Sequence, residues 1–480
     1  MRKVNIICWL FLIFFIISMF SCKKNRFYED TDANLKFSTH LVTFDTIFTS
    51  ISSITRQLKV YNPYNATIKT DIALIGGNAS YYSININGQS AVALKNVEIA
   101  AKDSIFILIK VNIPPNGANT PILLSDTLTF FTNGNRQNVE LLAFGQDANF
   151  IIPNAVYAGN IHGKIVAHEG ETISWTKEKP YVIYGYAIVD STATLIIEPG
   201  TQIYLHKGAG IWAYKGACII ANGTFDEPIV FQGDRKEEWY QKDFSQWDRI
   251  WLCESDKNHI FNYTIITNAY IGIQAETLQK SMGNQLILTN SILKKSEMYC
   301  LFSRGYNISA ANNIIVDAKQ YCVYLSAGGY YNFFNNTISD KNAGDINVPA
   351  VMLSNYNIVQ TAIGNSTYYG DFHAQMINNI IYGNDENEIN SDAINEAEFN
   401  LQVDNCLIKV RKSRIDSLNL NHNNLIFNAN PLFTDPTIDI YDFSLNNASP
   451  CKGAGKFISN ITTDFAGNIR NNPPSIGAFE

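Results

Sequence analysis

Short apolar runs, rich in β-branched and aromatic residues and bounded by Asn or Gly, recur through the second half of the chain without helical spacing. The repetition is plainest between residues 289 and 340. Thr289-Asn290-Ser291-Ile292-Leu293 is followed by Asn312-Asn313-Ile314-Ile315-Val316 and then by Asn335-Asn336-Thr337-Ile338. Asn290, Asn313 and Asn336 are evenly spaced, each two places before an isoleucine. Between them, Tyr299-Cys300-Leu301-Phe302 and Tyr321-Cys322-Val323-Tyr324 form a second matched pair at almost the same interval. A period near 22 built from short strands and corners predicts a solenoid, because one such coil cannot bury its apolar side alone and stacking supplies the burial. The pattern is that of a parallel β-helix, with coils roughly 4.8 Å apart and equivalent residues in vertical files. It places Asn290, Asn313 and Asn336 in one file, where Asn tolerates a left-handed backbone and can bond to the Asn of the next coil. Cys300 and Cys322 become neighbours, as buried free thiols or as a disulfide, with free thiols the simpler reading.

The first third carries a different rhythm. Strand-like runs at 41–48, 56–61, 67–74, 81–86, 104–113, 126–131 and 138–144 are separated by Asn62-Pro63-Tyr64-Asn65, Gly76-Gly77-Asn78 and Asn133-Gly134-Asn135. Seven strands in so short a span predict an antiparallel sandwich. The runs Gln57-Leu58-Lys59-Val60-Tyr61-Asn62 and Val139-Glu140-Leu141-Leu142-Ala143-Phe144-Gly145 resemble the immunoglobulin-like domains that precede other modules in bacterial surface proteins.

The N-terminus reads as a targeting segment, with Arg2 and Lys3 as the basic start and an apolar stretch from Ile6 to Phe20 that is too short for a permanent membrane span. Its close, Ser18-Met19-Phe20-Ser21-Cys22, resembles the lipobox of bacterial lipoproteins, although Met19 and Phe20 are unusual there. The resemblance implies cleavage before Cys22 and acylation of its thiol. The rival reading is an ordinary secretory signal. Lys23-Lys24-Asn25 and then Glu29-Asp30 make a polar tether and leave open whether the chain faces the periplasm or the cell surface.

In the second half, Thr194-Leu195-Ile196-Ile197-Glu198-Pro199-Gly200-Thr201 followed by Gly216-Ala217-Cys218-Ile219-Ile220-Ala221-Asn222-Gly223-Thr224 resembles the opening coils of right-handed parallel β-helices of the pectin-lyase-like class. Trp247-Asp248-Arg249-Ile250-Trp251 continues the resemblance. Asn430-Pro431-Leu432-Phe433, Ser449-Pro450-Cys451-Lys452-Gly453 and Ile476-Gly477-Ala478-Phe479-Glu480 resemble the closing segment of secreted bacterial β-helix repeat proteins. We expect that segment to cap the last coil, whose edge would otherwise template aggregation. The polar runs around Asp385-Glu386-Asn387-Glu388 and Arg411-Lys412-Ser413-Arg414 break the rhythm and read as loops extruded between 384 and 424. The chain thus divides into a lipoprotein signal peptide (1–21), a tether (22–35), an immunoglobulin-like sandwich (36–150) and a right-handed parallel β-helix with its closing segment (151–480), an all-β protein of bacterial, Bacteroidetes-type lipoprotein character.

Composition narrows the function. A formal net charge of −7 argues against nucleic acid as a partner. The six cysteines beyond Cys22 show no CxxC or other metal-type spacing, the histidines are scattered, and the reading assigns no metal, no cofactor and no catalytic residue. Polysaccharide-cleaving enzymes on this fold need carboxylates clustered on adjacent coils, or Asp-bound calcium beside an Arg or Lys base. The short marks of the pectin-cleaving hydrolases, Asn-Thr-Asp, Asp-Asp, Gly-His-Gly and Arg-Ile-Lys, do not occur. Asp234 with Arg235, Glu237-Glu238 and Asp248 with Arg249 could face a groove or form exposed ion pairs. The aromatic residues Trp239, Tyr240, Trp247 and Trp251 cluster in one short stretch, and flat rings beside hydrogen-bonding groups suit sugar rings. The alternative is that Trp247 and Trp251 pack inside an early coil.

The sequence therefore predicts an outer-membrane lipoprotein held through Cys22, whose sandwich presents a β-helix for binding, with glycan as the expected ligand and Trp239, Tyr240, Trp247 and Trp251 as its contacts. Two rival readings stand beside it. One is a polysaccharide lyase or glycoside hydrolase, requiring three or more charged side chains converging on one face over adjacent coils. The other is a structural or adhesive surface protein.

Overall fold

The structure, a computed structural model, describes residues 26–48, 55–113, 122–235, 240, 242–277, 285–340, 348–361, 364–418, 420–437 and 440–480. The expected signal peptide, Cys22 and Trp239 lie outside the described residues. The chain separates into two units, one ending at Asp147 and one beginning at Ala148.

The first unit is a sandwich of two five-stranded sheets. One runs in the order Lys36–Phe37, Arg56–Tyr61, Ser104–Val111, Tyr82–Ile86, Gln89–Ser90, and the other in the order Leu41–Phe48, Asn135–Gln146, Ile122–Thr132, Ile68–Leu74, Ala93–Ile99. Alternation forms it: in Ser104–Val111 every second residue is buried, and Ile105, Ile107 and Ile109 share one core with Ile72, Leu128, Phe130 and Leu141 from the opposite sheet. One pairing departs from the antiparallel expectation. Leu41–Phe48 runs parallel to Asn135–Gln146, because the chain leaves that sheet after Phe48 and enters the other one at Arg56.

The second unit is a parallel β-helix with three faces. Face 1 has eleven strands, including Ile292–Ser296 and Ile314–Ala318; face 2 has ten, including Tyr299–Arg304 and Tyr321–Ser326; face 3 has ten, including Asn307–Ala311 and Gly329–Phe334. The chain visits faces 1, 2 and 3 in turn, and each strand pairs in parallel with its equivalent one coil away, except that Ala155–Tyr157, at the start of face 2, is antiparallel to Ile161–Ala167. Inward residues stack directly. On face 2 the file Ile211, Ile250, Ile273, Leu301, Val323 and Val351 is wholly buried. Each such aliphatic side chain contributes roughly 1.5–3 kcal/mol relative to exposure.

The corner between faces 3 and 1 is set by asparagine. Asn290, Asn312, Asn335, Asn378, Asn405 and Asn424 all have φ between 48° and 57°, the left-handed region that Asn tolerates. The residue after each of the first five turns inward, giving a buried file of Ser291, Asn313, Asn336, Asn379 and Cys406. The sequence pattern puts Asn290, Asn313 and Asn336 in one file; they occupy two. Ile292 pairs with Ile314, and Ile314 with Thr337, so the earlier coil is the shorter and Asn290 lies over Asn312. The later coil carries its extra residue in the corner at Ala327-Gly328, and an equal count for both coils slips by one. Cys300 and Cys322 do lie on adjacent coils, as free buried thiols.

Two other segments differ from expectation. Most of residues 384–424 is not extruded: Ile389–Asp392, Phe399–Asp404 and Leu407–Ile408 continue faces 2, 3 and 1, and Lys412–Leu418 leaves the sheets as a 3-10 turn. The acidic run sits at the corner before Ile389–Asp392, and the basic run opens the 3-10 turn. The segment that does leave the stack is the antiparallel hairpin Tyr356–Thr361 with Gly364–Tyr369. The closing segment, in turn, is a lateral strap and not an end cap. Phe443 and Ala478 cover Ile314 and Val316 on the outside of face 1, and Leu445, Cys451 and Ile476 cover Ile380 and Leu407. The corner asparagines hold it: Asn312, Asn335, Asn378 and Asn405 donate through Nδ2 to the carbonyls of Thr463, Ser475, Lys456 and Ala454. The face 1 strands turn apolar residues both inward and outward, so their outer side needs a cover more than the terminal edge does.

Candidate functional site

The outer side of face 2 gathers aromatic and charged side chains over consecutive coils. Strand register puts Ile188, Trp212, Trp251, Gln274, Phe302, Tyr324 and Met352 in one outward file. Trp212 and Trp251 stack with centroids 5.1 Å apart and planes 14° apart. Phe302 and Tyr324 stack at 5.3 Å, and beside them Tyr299 and Tyr321 lie at 5.8 Å with planes 3° apart. In-register parallel strands bring identical residue classes within ring-stacking reach.

Charges sit on either side of this file. Arg249 bonds Asp248 through Nε at 3.0 Å and through its terminal nitrogen at 2.8 Å, and also reaches Gln274 Oε1 on the next coil. Tyr186 donates its hydroxyl to Asp248. Trp251 Nε1 donates to Glu276 Oε1 at 2.6 Å, and Arg304 pairs with the other oxygen of Glu276. Burial first, then the neighbouring Asp248 carboxylate, push the Tyr186 hydroxyl far above its ordinary range. For Arg249, burial is the largest single influence and opposes the charge, but the bond to Asp248 together with the charges of Asp248, Tyr186 and Glu276 outweighs it and the pKa rises. Burial and the nearby phenols of Tyr324, Tyr321 and Tyr270 push Tyr299 up to about 12. The Tyr186 and Tyr299 phenols therefore stay neutral and Arg249 stays charged near neutrality.

A depression of about 440 Å³ opens at the N-terminal end of this face, lined by Asn160, His162, Tyr186, Asp248, Arg249 and Trp251. Towards the other end the hairpin stands over the face. Asn357 Nδ2 donates to the Tyr324 hydroxyl at 3.2 Å, Tyr356 donates to Asp392 at 2.6 Å, and the Tyr368 ring lies 5.8 Å from the Arg304 guanidinium. Among the described residues no three His, Cys, Asp or Glu side chains are grouped as a metal site.

The four aromatic candidates separate. Trp247 is 1 % exposed, packs in the core and donates Nε1 to the Thr267 carbonyl at 2.8 Å, so it is not available to a ligand. The register shifts between Arg249 and Ile250, and the inward side passes from Trp247 to Ile250 and Leu252. Trp251 is thereby left outward and half-buried in the file just described. Tyr240 is half-buried beside Arg235, whose guanidinium lies 4.3 Å from the ring. Trp239 is outside the described residues. Sequence reasoning missed Gln274, Glu276, Phe302 and Arg304. Glu276 lies over Arg304, but the chain between Thr277 and Gln285 lengthens that coil, and the regular period does not connect the two. Four charged side chains, Asp248, Arg249, Glu276 and Arg304, converge on one face over three adjacent coils, although each is engaged in an ion pair.

No curated protein matches the chain. Among solved structures, an ASH/PapD-like domain of human CEP192 is 10 % identical, with 25 % of this chain and 89 % of that one covered and a TM-score of 0.17. A Porphyromonas gingivalis W83 protein of unknown function is 10 % identical over 29 % of this chain and 58 % of its own, with a TM-score of 0.18. A family 123 glycoside hydrolase from Clostridium perfringens is 6 % identical over 30 % of each chain, with a TM-score of 0.19. None of these scores reaches the level of a shared overall fold. Residues 166–257, which span the opening coils and the Trp212 and Trp251 rungs, match the family model described as a pectate-lyase-like β-helix domain, in keeping with the stack of parallel coils.

Proposed function

We propose that the chain is an envelope lipoprotein, anchored through Cys22 in the outer membrane, whose β-helix binds carbohydrate along the outside of face 2. The observation that carries the reading is the Trp251 rung. An outward, half-buried indole borders a depression of about 440 Å³ that also holds Asp248, Arg249, Tyr186 and His162. Sugar rings have an apolar C–H side that packs on indole and a rim of hydroxyls that exchange hydrogen bonds with carboxylate and guanidinium groups. The surrounding ion pairs preorganise those groups, which lowers the cost of ordering them on binding. Trp239 and Tyr240 belong to the polar stretch of sequence that precedes this rung and remain proposed contacts on the grounds of sequence alone.

An enzymatic reading, as polysaccharide lyase or glycoside hydrolase, is favoured by one feature, the convergence of Asp248, Arg249, Glu276 and Arg304. It is opposed by their mutual pairing, which leaves neither carboxylate free to move a proton. Affinity electrophoresis through gels cast with acidic and neutral polysaccharides tests binding. Retardation of the wild-type chain that disappears in Trp251→Ala supports the reading, whereas equal mobility of both in every gel refutes it. Reducing ends or unsaturated products after prolonged incubation would replace binding by catalysis. Intact mass analysis of membrane-extracted chain, with and without Cys22→Ser, tests the anchor.

A further inference from the structure

The outer side of face 3 changes character halfway along the helix. Its central outward file begins with Ile196, Ile220, Ile260 and Ile287 and continues as Ser309, Asn332, Gln375, Gln402 and Asn421. The later part is a column of hydroxyl and amide groups, one per coil, at the roughly 4.8 Å spacing of paired strands. Its members are steadied from within: Gln285 Nε2 donates to Ser309 at 2.6 Å, Gln375 Nε2 to Gln402 at 3.3 Å, and Gln402 Nε2 to Asp404 at 2.9 Å. The side-chain amides of Asn332 and Asn421 are exposed and make no hydrogen bond among the described residues. Beside the column stands Tyr330, 52 % exposed, with His373 stacked on it at 4.8 Å and 15°. At one edge the face drops into a groove of about 440 Å³ between Ser309, Asn332 and Phe334 and the strap residues Asn460 and Thr462.

The charge pattern decides what such a face can hold. From Asn307 to Asn423 the strand residues in the outward register include, besides the Tyr330 phenol, two titratable groups, His373 and Asp404, while His422, exposed in the last strand, follows the inward register of Val403. Asp404 is 4 % exposed and already bonded to Gln402 and Asn423, and His373 lies 3.8 Å from the Glu398 carboxylate. The column itself offers no charged partner to an anion or a cation. Amides both donate and accept, as sugar hydroxyls do, so a column of them matches an uncharged hydroxylated chain. One amide per coil suits a polymer that repeats at about the length of one sugar unit.

We propose that face 3 from Ser309 to Asn421 is a second carbohydrate-recognition surface, which takes an extended uncharged polysaccharide lying along the helix axis with Tyr330 as its aromatic platform. It is separate from the charged outer side of face 2 and does not depend on that site. Binding here is insensitive to ionic strength, because no ion pair forms or breaks.

The full chain is run through native gels containing hydroxyethylcellulose, xyloglucan or polygalacturonate. Neutral gels retard the wild type, Tyr330→Ala and Gln375→Glu weaken the neutral-gel affinity by about tenfold each, and Trp251→Ala leaves it unchanged. Tyr330→Phe, which keeps the ring, retains most of the retardation, and circular dichroism melting confirms that every variant is folded. Three results overturn the proposal: no retardation of the wild type in either neutral gel, neutral-gel retardation that survives both Tyr330→Ala and Gln375→Glu, or its loss in Trp251→Ala alone. Polygalacturonate retardation abolished by Trp251→Ala but not by Tyr330→Ala reports on face 2, so the two surfaces fail or stand independently.

Discussion

Asn336 Oδ1 accepts hydrogen bonds from both the backbone N–H and the side-chain amide of Asn313, at 3.0 and 2.9 Å, from one coil away. Asn379 receives Asn336 in the same way, and each amide passes its other hydrogen to a carbonyl, Leu288, Ala310 or Phe333. Ser291 and the Cys406 sulfur close the two ends of the file. A buried polar network is favourable when every member is satisfied and costly when one is missing. Asn336→Ala orphans the Asn313 N–H, its amide and the Ala310 carbonyl, and at about 1–3 kcal/mol per group the β-helix loses at least about 3 kcal/mol in urea unfolding. Asn424→Gly, at an exposed left-handed corner, shifts the same curve by less than about 1 kcal/mol.

Arg470 fastens the strap. It is 6 % exposed and donates to Asn312 Oδ1 at 2.7 Å and to the carbonyl of Gly477 at 3.0 Å, and burial lowers its pKa to about 10. Arg470→Ala should leave these acceptors bare and raise hydrogen exchange through residues 455–480 while the interior of face 2 stays protected. Uniform protection across both regions would show that the guanidinium does not hold the segment.

Glu388 makes stability depend on pH. It is fully buried, with Oε2 accepting from the Ala350 N–H at 3.2 Å and Oε1 without a hydrogen-bond partner. Burial raises its pKa from 4.5 to about 7, against the pull of the Ala350 N–H and Lys409. The folded state therefore holds a proton that the unfolded state has released. This contribution is complete below pH 4.5 and is lost as the pH rises to about 7. Glu388→Gln should flatten the melting temperature across that window and stabilise the protein at pH 8 by roughly 2–3 kcal/mol. An unchanged slope would assign the dependence elsewhere.

The thiols should be inert in the native state. Burial pushes Cys218 and Cys253 up to about 11 and Cys406 and Cys451 up to about 12, and Cys322 also lies well above the ordinary thiol range. A thiol-specific chromogenic reagent at pH 8 should react slowly with the folded chain and quickly after denaturation. Rapid labelling of Cys300 or Cys322 without unfolding would mean that the coils around them open locally.

The repeating half was legible in sequence because stacking writes the same residue class at equivalent positions, as Tyr299 over Tyr321 shows. The sandwich strands at 41–48 and 56–61 have the limits their alternation indicates. Ala93–Ile99 was hidden, since only Ile99 of its residues is buried and Asn96 interrupts it at φ 54°. The site was harder to read. Trp247 and Trp251 are four apart and would share a side in a regular strand, and only the register shift beside Ile250 sends one in and the other out. Gln274, Glu276 and Arg304 become neighbours through pairing across a lengthened coil, which no local pattern encodes.

A solenoid ordinarily holds itself together by neighbour-to-neighbour contacts, so that coils near one end can fray without disturbing those at the other. The strap changes that order. Phe465 meets the rings of Tyr263 and Phe225 at 6.2 Å, while Cys451 and Ile476 lie against Ile380 and Leu407, so residues made after the stack are laced back across coils made long before. A nascent chain that has emerged only as far as Phe427 can wind these coils but leaves the outer side of face 1 bare. Covering that side waits on residues 440–480.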